Sequence, residues 1–328
     1  MTSLTSRSSA VLLLLFAGFA AVPFVATVLE QPFWISFFAR ILIYAIAASA
    51  LNLALGYGGL VSFGHALFMG LGSYAVALPA FHGIASGWAH LALCIVASSL
   101  VALAVGAISL RTSGMAFIMI TLAFAQMGYF LLVSLKQYGG DDGLPVAATS
   151  RFGSLDLGAT LPLYATALVV LALVTWWMAK LRVAPFGMAL RGARQNARRI
   201  NAIGLEASRL QLVAFVITGA ICGVSGLLLA NLNAFASPSS LAWTVSGELI
   251  VMVVLGGIGT VAGPVIGALV FLGLEEVLKG LTEHWMVIFG PLIVVMALVG
   301  RRGIVGLIDL WPKAQGSSTP VVVSEGGA

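Results

Sequence analysis

The sequence predicts an all-α membrane protein, a polytopic transmembrane helical bundle of about ten spans. Of its 328 residues, 60% are hydrophobic and only 8% are charged, and the mean hydropathy is +1.09. A water-soluble domain needs a polar shell that this composition cannot supply. Apolar runs of about twenty residues recur along the chain, and a helix of that length crosses the roughly 30 Å hydrocarbon layer. The runs lack the alternating pattern of barrel strands.

The first apolar run, residues 11–29, follows a short segment, residues 1–10, whose one charged residue is Arg7. A cleaved signal peptide shares this plan. The run is nevertheless long enough to span a membrane, and Pro23 interrupts it where cleavage would be expected. We therefore expect a retained first span after a cytoplasmic amino terminus. The second run covers residues 33–55.

Two glycine-rich segments, residues 56–72 and 256–267, interrupt the apolar pattern and are called here the first and second glycine breaks. Glycine at such density either lets helices approach closely or frees the backbone from helical geometry. Within a membrane, a freed backbone is tolerated only where protein or a watery cavity satisfies its polar groups. The span count places both breaks at the cytoplasmic side.

The remaining runs complete the predicted transmembrane domain, residues 11–304. The polar residues 136–160 are predicted to form an external turn, because their acids lack the spacing of an EF-hand loop. Residues 305–328 are predicted to be a flexible cytoplasmic tail, since few large side chains are present to fold it. The further spans expected are 60–81, 88–110, 114–135, 161–179, 210–231, a short run before Gly256, a run ending at Leu278, and 285–299.

The distribution of positive charge predicts the orientation. With both termini in the cytoplasm, twelve of the sixteen Lys and Arg residues fall on the cytoplasmic side, as the positive-inside rule requires. The seven Trp residues lie near span ends, where amphipathic rings favour the membrane interface. Topology therefore accounts for the net charge of +5, and no nucleic-acid partner is indicated.

Residues 180–209, called here the basic segment, hold seven Lys and Arg residues against a single carboxylate, Glu206. Apolar positions recur there at steps of four and three, the period of one helix face. Pro185 suits a first helical turn and Gly204 suits the left-handed residue that follows a helix, so one short amphipathic helix is predicted between them. The apolar positions are Phe186, Leu190, Ala193, Ala197 and Ile200.

Composition leaves two interpretations of the basic segment open. A basic amphipathic helix can rest on lipid headgroups, with its arginines near phosphates. It can also offer its charged face to a soluble partner in the cytoplasm. A phosphate-binding P-loop needs a Gly-Lys pair, and none of the four lysines follows a glycine. If the chain transports a solute actively, another subunit must supply the energy, and this favours the docking interpretation.

The sequence carries no sign of catalysis. It has no HExxH or GxSxG motif, no cofactor site and no metal site, so neither catalytic nor metal-ligating residues are predicted. No buried pair of acid and base marks a proton-coupled or sodium-coupled carrier. Cys94 and Cys222 each stand alone in an apolar run and are predicted to be small buried side chains.

Polar side chains at membrane depth are costly, and they are therefore functional candidates. His65 suits a hydrogen bond to the backbone of a broken helix better than proton transfer. Lys279 is within helical reach of two glutamates and is expected to form an ion pair with one of them. Arg40 and Glu248 begin their spans at the outer side, where they can reach water. The full set is Arg40, Asn52, His65, Gln126, Glu248, Glu275, Glu276 and Lys279.

The residues themselves resemble a known family. Residues 52–66 read Asn-Leu-Ala-Leu-Gly-Tyr-Gly-Gly-Leu-Val-Ser-Phe-Gly-His-Ala, and with Gly70, Gly72 and Tyr74 they resemble the signature of branched-chain amino acid ABC importer permeases, the LivM-like subfamily. The likeness covers about residues 35–300. Its further blocks are residues 121–124 with 139–144, 186–204, 237–238 and 255–267.

This resemblance implies a multi-pass subunit of the bacterial inner membrane, in contact with membrane lipid. Its partners would be a second homologous permease subunit, two cytoplasmic ATP-binding subunits and a periplasmic solute-binding protein. The ATPases would drive alternating access for a branched-chain amino acid or a related small polar solute. Family members usually carry an acidic residue where this chain reads Arg194-Gln195-Asn196-Ala197, so a charge contact to the ATPase is absent or supplied elsewhere.

The resemblance also implies site residues. The family's cytoplasmic coupling helix corresponds to residues 186–204, with coupling candidates Phe186, Gly187, Leu190, Arg191, Arg194, Asn196, Arg198 and Gly204. Candidates for the translocation pathway are Asn52, Gly58, Ser62, His65, Gly256, Gly257 and Gly259. The alternatives left open are a permease for urea or short amides, a self-sufficient channel or secondary carrier, and a scaffold subunit with no pathway of its own.

Overall fold

A computed structural model describes residues 3–28, 30–153, 155–299 and 303–310, and these are almost entirely helical. Of the predicted flexible tail, residues 305–328, the first six residues are helical, and the part from residue 311 onward lies outside the described residues, as do Arg301 and Arg302. The helices are α1 (Ser3–Val28), α2 (Pro32–Asn52), α3 (His65–Phe81), α4 (Gly87–Ser109), α5 (Met115–Ser134), α6 (Thr160–Val183), α7 (Pro185–Gln195), α8 (Ala197–Ala202), α9 (Ala207–Asn233), α10 (Trp243–Gly256), α11 (Gly263–Leu281), α12 (Trp285–Val299) and α13 (Gly303–Leu310).

Within the described residues, six stretches of helix are long and apolar enough to cross a membrane: residues 11–28 of α1, α2 with its continuation to Tyr57, α4, α5, α6 and α9. Helices α3 and α10 are apolar but shorter, as is the part of α12 from Trp285 to Val294. Helix α11 has 19 residues and carries three charged ones near its end. A helical membrane protein is therefore confirmed, whereas the count of ten spans stays a prediction.

Helix α2 forms the centre of the bundle. Almost all of its residues after Ala39 are buried, and it packs against α1, α6, α9, α10 and α11. Helices α3 and α9 pack closely against each other. A Cβ added at Gly72 would overlap the carbonyl oxygen of Gly223, and one at Gly226 would overlap that of Met69. Small residues thus let these two backbones meet directly, as is common between membrane helices.

The two ends of the bundle differ. One end, called here the loop end, carries residues 135–159 and 234–242. There β1 (Leu144–Pro145) pairs antiparallel with β4 (Phe235–Ala236), and β2 (Arg151–Phe152) pairs with β3 (Leu155–Asp156). The opposite end, called the basic end, carries α7 and α8. Helix α6 joins the two ends, and its 24 residues separate them by roughly 36 Å.

The loop end is held by hydrogen bonds. The buried His90 Nδ1 lies 2.8 Å from the Ser150 hydroxyl, and the Asn231 amide donates to that hydroxyl at 3.0 Å. Hydrogen bonds from the Gly158 amide and the Thr149 hydroxyl, with the nearby Arg151, hold the pKa of Asp156 below its usual range. The predicted external turn is therefore an ordered structure tied to α4 and α9.

Candidate functional site

The basic segment forms two helices, where the sequence analysis predicted one. The chain is extended at Asn196, with φ −157° and ψ 97°, and this residue separates α7 from α8. The Asn196 Oδ1 accepts a hydrogen bond from the Arg199 amide at 3.1 Å. Asparagine is a strong N-cap residue because its side chain satisfies such an amide, and this favours a second helix start. The predicted apolar face consequently ends at Ala193, and Ala197 is exposed.

Helix α7 is seated firmly against the bundle. Pro185 occupies its first turn, and Leu190 and Ala193 are buried. A Cβ at Gly187 would overlap the carbonyl oxygen of Leu181, so only glycine lets α7 fold back onto the end of α6. Phe186 packs against the main core. The predicted apolar face is thus confirmed for α7.

Arg191 ties α7 to its surroundings. Its guanidinium donates to the carbonyl oxygens of Gly187 at 3.3 Å and of Arg182 at 2.5 Å. Its Cζ also lies 5.9 Å from the centre of the Tyr57 ring, within the range of a cation–π interaction. Because Arg182 belongs to the last turn of α6, this side chain also satisfies a carbonyl at a helix end.

Arg194 reaches further, into the first glycine break. Its Nη1 donates a hydrogen bond to the carbonyl oxygen of Gly56. Its aliphatic stem lies over Gly59, where an added Cβ would be 2.7 Å from the Arg194 Cγ. Gly59 has φ +71°, a conformation that side chains other than glycine rarely adopt. From α9, the Gln211 amide approaches the Gly58 carbonyl at 3.5 Å.

The first glycine break is irregular backbone whose polar groups are satisfied by protein. Helix α2 continues as a π-helical turn, Leu53–Tyr57, and the helix then stops until His65. The expected third span, 60–81, is therefore wrong at its start, because residues 60–64 belong to the break. The Ser62 hydroxyl accepts from the Gly64 amide at 3.1 Å, and the Thr121 hydroxyl accepts from the Phe63 amide at 3.2 Å. Membrane proteins need this compensation wherever a helix is interrupted.

The second glycine break separates α10 from α11. Gly257 and Gly259 both have positive φ, at 125° and 77°. The Thr260 hydroxyl donates to the Gly257 carbonyl at 2.8 Å and accepts from the Gly263 amide at 3.0 Å. A Cβ at Gly256 would overlap the Gly263 carbonyl oxygen, so the chain doubles back too closely for any other residue.

Asn52 joins the two breaks. Its Nδ2 donates to the Thr260 carbonyl at 2.8 Å, and its Oδ1 accepts from the Gly259 amide at 2.8 Å. A Cβ at Gly56 would lie 2.7 Å from the Gly259 nitrogen. We call this contact of Asn52 and Gly56 with Gly259 and Thr260 the glycine junction. The two breaks meet at the basic end, on the same side of the bundle, as the span count predicts.

The other pathway candidates are enclosed by protein. Asn52, Ser62 and His65 are fully buried, as are the backbones of Gly58, Gly256 and Gly257. The His65 Nε2 lies 3.2 Å from the Thr218 hydroxyl, so its partner is a side chain on α9 and not the broken-helix backbone. Its ring also contacts the rings of two phenylalanines, with centroids 5.7 Å away.

The part of the basic segment that follows α7 is exposed. Helix α8 has no buried residue, and the side chains of Arg198 and Arg199 make no hydrogen bond or ion pair with the described residues. Gly204 follows α8 with φ +86° and open space around its Cα, which confirms the predicted left-handed end. Arg209 forms an ion pair with Glu206 at 2.6 Å.

Sequence reasoning missed the partners that complete the site. None of them was singled out from the sequence: Gln211 stands at the start of an expected span, Thr260 lies inside the second glycine break, and Tyr57 is one residue of the family signature. Within the described residues no group of three or more His, Cys, Asp or Glu side chains could hold a metal. In the part of the chain that the structure describes, the site consists of a charged surface helix that rests on a backbone junction.

Comparisons with known proteins agree with this architecture. The sequence profile of the family described as branched-chain amino acid transport system, permease component, matches residues 33–297. The high-affinity branched-chain amino acid transport system permease protein LivM of Salmonella typhimurium is 26% identical over 287 residues, which cover 80% of this chain and 68% of the relative. No solved structure matches the chain.

Two further relatives extend the comparison. The high-affinity branched-chain amino acid transport system permease protein LivH of Escherichia coli is 28% identical over 286 residues, 80% of this chain and 91% of its own length. The probable branched-chain amino acid transport permease protein LivM of Methanocaldococcus jannaschii is 27% identical over 266 residues, 70% of this chain and 76% of its own length.

Proposed function

The chain belongs to the branched-chain amino acid transport permease family, and we propose that it is the membrane-spanning permease subunit of an ATP-binding-cassette importer. Its solute would be a branched-chain amino acid, the class named for its relatives, or a related small polar solute. The multi-pass chain would lie in a bacterial inner membrane with the basic end and both termini in the cytoplasm. Its partners would be a second, homologous permease, two ATP-binding subunits and a periplasmic binding protein.

The observation that carries this proposal is the seating of α7 on the glycine junction. A lipid-surface helix would need only an apolar face and solvated arginines. In this chain two arginines of α7 point inward, to Tyr57 and to the Gly56 carbonyl, while Arg198 and Arg199 of α8 point outward. A force applied at α8 would therefore reach the irregular backbone inside the bundle through α7. The lack of a Gly-Lys pair means that a separate subunit would supply that force.

This geometry supports a proposal of alternating access. Closure of the ATPases on α8 would move α7, residues 185–195, as a rigid body. The Arg194 contact would displace the first break, and Asn52 would pass the displacement to the second. Helices α2, α10 and α11 end or begin beside the junction, so their tilt would change and open a path between the two permeases. The rigid unit is shorter than residues 186–204, because the chain is not helical at Asn196.

Reconstitution tests the proposal. The chain should copurify in mild detergent with a second permease and two ATPases, and the assembled complex should accumulate leucine in proteoliposomes only with ATP and a loaded binding protein. Leucine uptake by the isolated chain would instead support a self-sufficient carrier. A complex that hydrolyses ATP but takes up urea or short amides, and no leucine, would retain the architecture and reject the solute.

A further inference from the structure

A cavity of about 200 Å³ opens between α4 and α9 at the basic end, and we call it the basic cavity. Gly106, Ala107 and Arg111 line it where α4 ends. Ser208 and Arg209 line it where α9 begins. One water needs only about 10–15 Å³ of such space, whereas pockets that enclose a drug-sized ligand measure roughly 300–1,000 Å³. The basic cavity therefore suits one small polar group of a larger molecule.

The charge of the basic cavity is positive, because its lining includes two arginines and no acid. Within the described residues, the Arg111 side chain makes no hydrogen bond or ion pair. Arg209 pairs with Glu206 through its Nε, at 2.6 Å, so the two terminal nitrogens of its guanidinium can still donate to a ligand. An anion in the cavity would therefore be held from both helices.

Arg111 differs in this respect from cations at the loop end. Lys279 Nζ lies 2.6 Å from Glu275 Oε1, which confirms the ion pair expected from the sequence. Arg151 Nε lies 3.2 Å from Asp156 Oδ2. Each of those two cations has a carboxylate of this chain as its partner. Arg111 has none among the described residues, and a ligand would have to supply its counter-charge.

Beneath its charged rim the basic cavity is apolar. Gly106 is buried against α9, where an added Cβ would lie 2.8 Å from the Leu212 Cδ1. The next residue, Ala107, is exposed and contributes only a methyl group to the lining. Beside the cavity, Ile108 is 52% exposed and Val213 is 48% exposed, as expected of side chains that face lipid. A charged rim above an apolar floor matches an amphiphile, whereas a soluble anion would use only the rim.

We propose that the basic cavity binds the headgroup of one anionic phospholipid, with Arg111 and Arg209 on the phosphate and the acyl chains along the apolar faces of α4 and α9. Guanidinium groups match phosphate in a planar, two-point geometry. Basic pockets between membrane helices on the cytoplasmic side are suited to such headgroups. The inference goes beyond the proposed function, because this ligand is not transported.

A lipid in the basic cavity would brace two helices that already pack against each other. Helix α9 also contacts α3 and α7, so the bound lipid would stabilise the part of the bundle that carries the basic segment. A ligand that binds only the folded protein raises its apparent stability. Added anionic lipid should therefore raise the apparent melting temperature, provided that both arginines are present.

The test is native mass spectrometry of the full-length chain in mild detergent, titrated with phosphatidylglycerol or with phosphatidylcholine of identical acyl chains. The variants are Arg111→Gln, Arg209→Gln and Ala107→Phe, with Arg182→Gln as the matched control. Arg182 is an exposed arginine in the last turn of α6, at the same end of the bundle, and it does not line the cavity.

We expect wild type to bind one phosphatidylglycerol more tightly than phosphatidylcholine. Each arginine variant should weaken phosphatidylglycerol binding about fivefold, and the two together about 25-fold, with phosphatidylcholine binding unchanged. Ala107→Phe should also weaken binding at least fivefold, because the larger side chain fills the cavity while every charge is kept. Arg182→Gln should bind both lipids as wild type does.

Three outcomes would overturn the lipid site. Equal affinity for the two lipids, or an equal loss in Arg182→Gln and Arg111→Gln, would assign the attraction to the whole basic end. Displacement of the lipid by inorganic phosphate would assign the cavity to a soluble anion. Retention of the lipid by the isolated chain but not by the assembled complex would assign the cavity to a subunit interface.

The cavity-filling variant keeps the test decisive. If an arginine variant does not accumulate in membranes, Ala107→Phe decides alone, and wild-type binding in that variant would overturn the site. Lipid binding is measured without transport, so failure of the lipid site would leave the proposed function intact. A complex that binds the lipid but takes up no leucine would reject the proposed solute and retain the lipid site.

Discussion

The two helices of the basic segment share an arginine-rich composition but have opposite surroundings. Helix α7 buries Gly187, Leu190 and Ala193, and it directs Arg191 and Arg194 into the bundle. Helix α8 buries none of its residues, and Arg198 and Arg199 extend into solvent. Charge density therefore does not define the role of these arginines. Their role depends on what each guanidinium contacts, and these contacts change at Asn196.

This difference divides the segment into an inner and an outer part. In our proposal, the inner part would transmit force to the glycine junction, and the outer part would receive that force from a partner. Substitutions in α7 and at the glycine junction should alter how much solute moves for each ATP hydrolysed. Substitutions on α8 should alter how tightly the ATPase binds. The variants below test this division.

The largest effect is expected at the junction itself. Asn52→Leu would leave the Gly259 amide and the Thr260 carbonyl without their side-chain partner. An unsatisfied buried polar group costs about 1–3 kcal/mol, so the free energy of unfolding should fall by roughly 2–6 kcal/mol. The apparent melting temperature in detergent should drop clearly, and uptake should be lost.

Ser49→Ala is the matched control for the junction. Ser49 is buried about one turn earlier on α2, and its hydroxyl has no partner among the described residues. This variant should keep the wild-type melting temperature and uptake. Equal destabilisation by Ser49→Ala and Asn52→Leu would mean that α2 tolerates no change, and the junction would lose its special status.

A smaller effect is expected at Gly204, which ends the outer part. Its φ of +86° costs a residue with a side chain about 1–2 kcal/mol, and more for a β-branched one. Gly204→Val should shift the turn between α8 and α9 and reduce uptake per ATP several-fold, with insertion intact. Gly204→Asn, which tolerates the left-handed region, should be close to wild type. Normal uptake in Gly204→Val would argue against transmission through this segment.

The smallest effect is expected from the exposed arginines. Arg198→Ala with Arg199→Ala removes two exposed charges whose side chains make no hydrogen bond or ion pair within the described chain. We expect a two- to tenfold weaker association with the ATPase subunit, stronger at low salt than at high salt, as for rim charges at an interface. Pull-down at two salt concentrations measures this. An affinity independent of both substitutions would show that the ATPase binds elsewhere.

Hydrophobic length predicted much of the fold. Among the described residues, six of the expected spans form helices long and apolar enough to cross a membrane, with ends within a few residues, in α1, α2, α4, α5, α6 and α9. Each is a long apolar run whose ends are set by the thickness of the membrane, a local property of the sequence. The glycine breaks were also expected, because glycine density is visible in sequence.

The contacts between distant segments could not be predicted. Asn52 and Gly259 are 207 residues apart, and Arg194 and Gly56 are 138 apart. No local pattern encodes such pairs. The division at Asn196 was different, because an asparagine before three potential helix residues is an N-cap signal. The regular apolar spacing through Ala197 and Ile200 concealed it.

The most direct test of the account compares Arg194→Ala with Arg198→Ala in proteoliposomes, measuring leucine accumulated for each ATP hydrolysed. These arginines are four residues apart and both are exposed, but only Arg194 contacts Gly56 and Gly59. We predict that Arg194→Ala lowers this ratio about tenfold while ATP hydrolysis continues, and that Arg198→Ala leaves it unchanged. Equal ratios in the two variants would contradict transmission through the glycine junction.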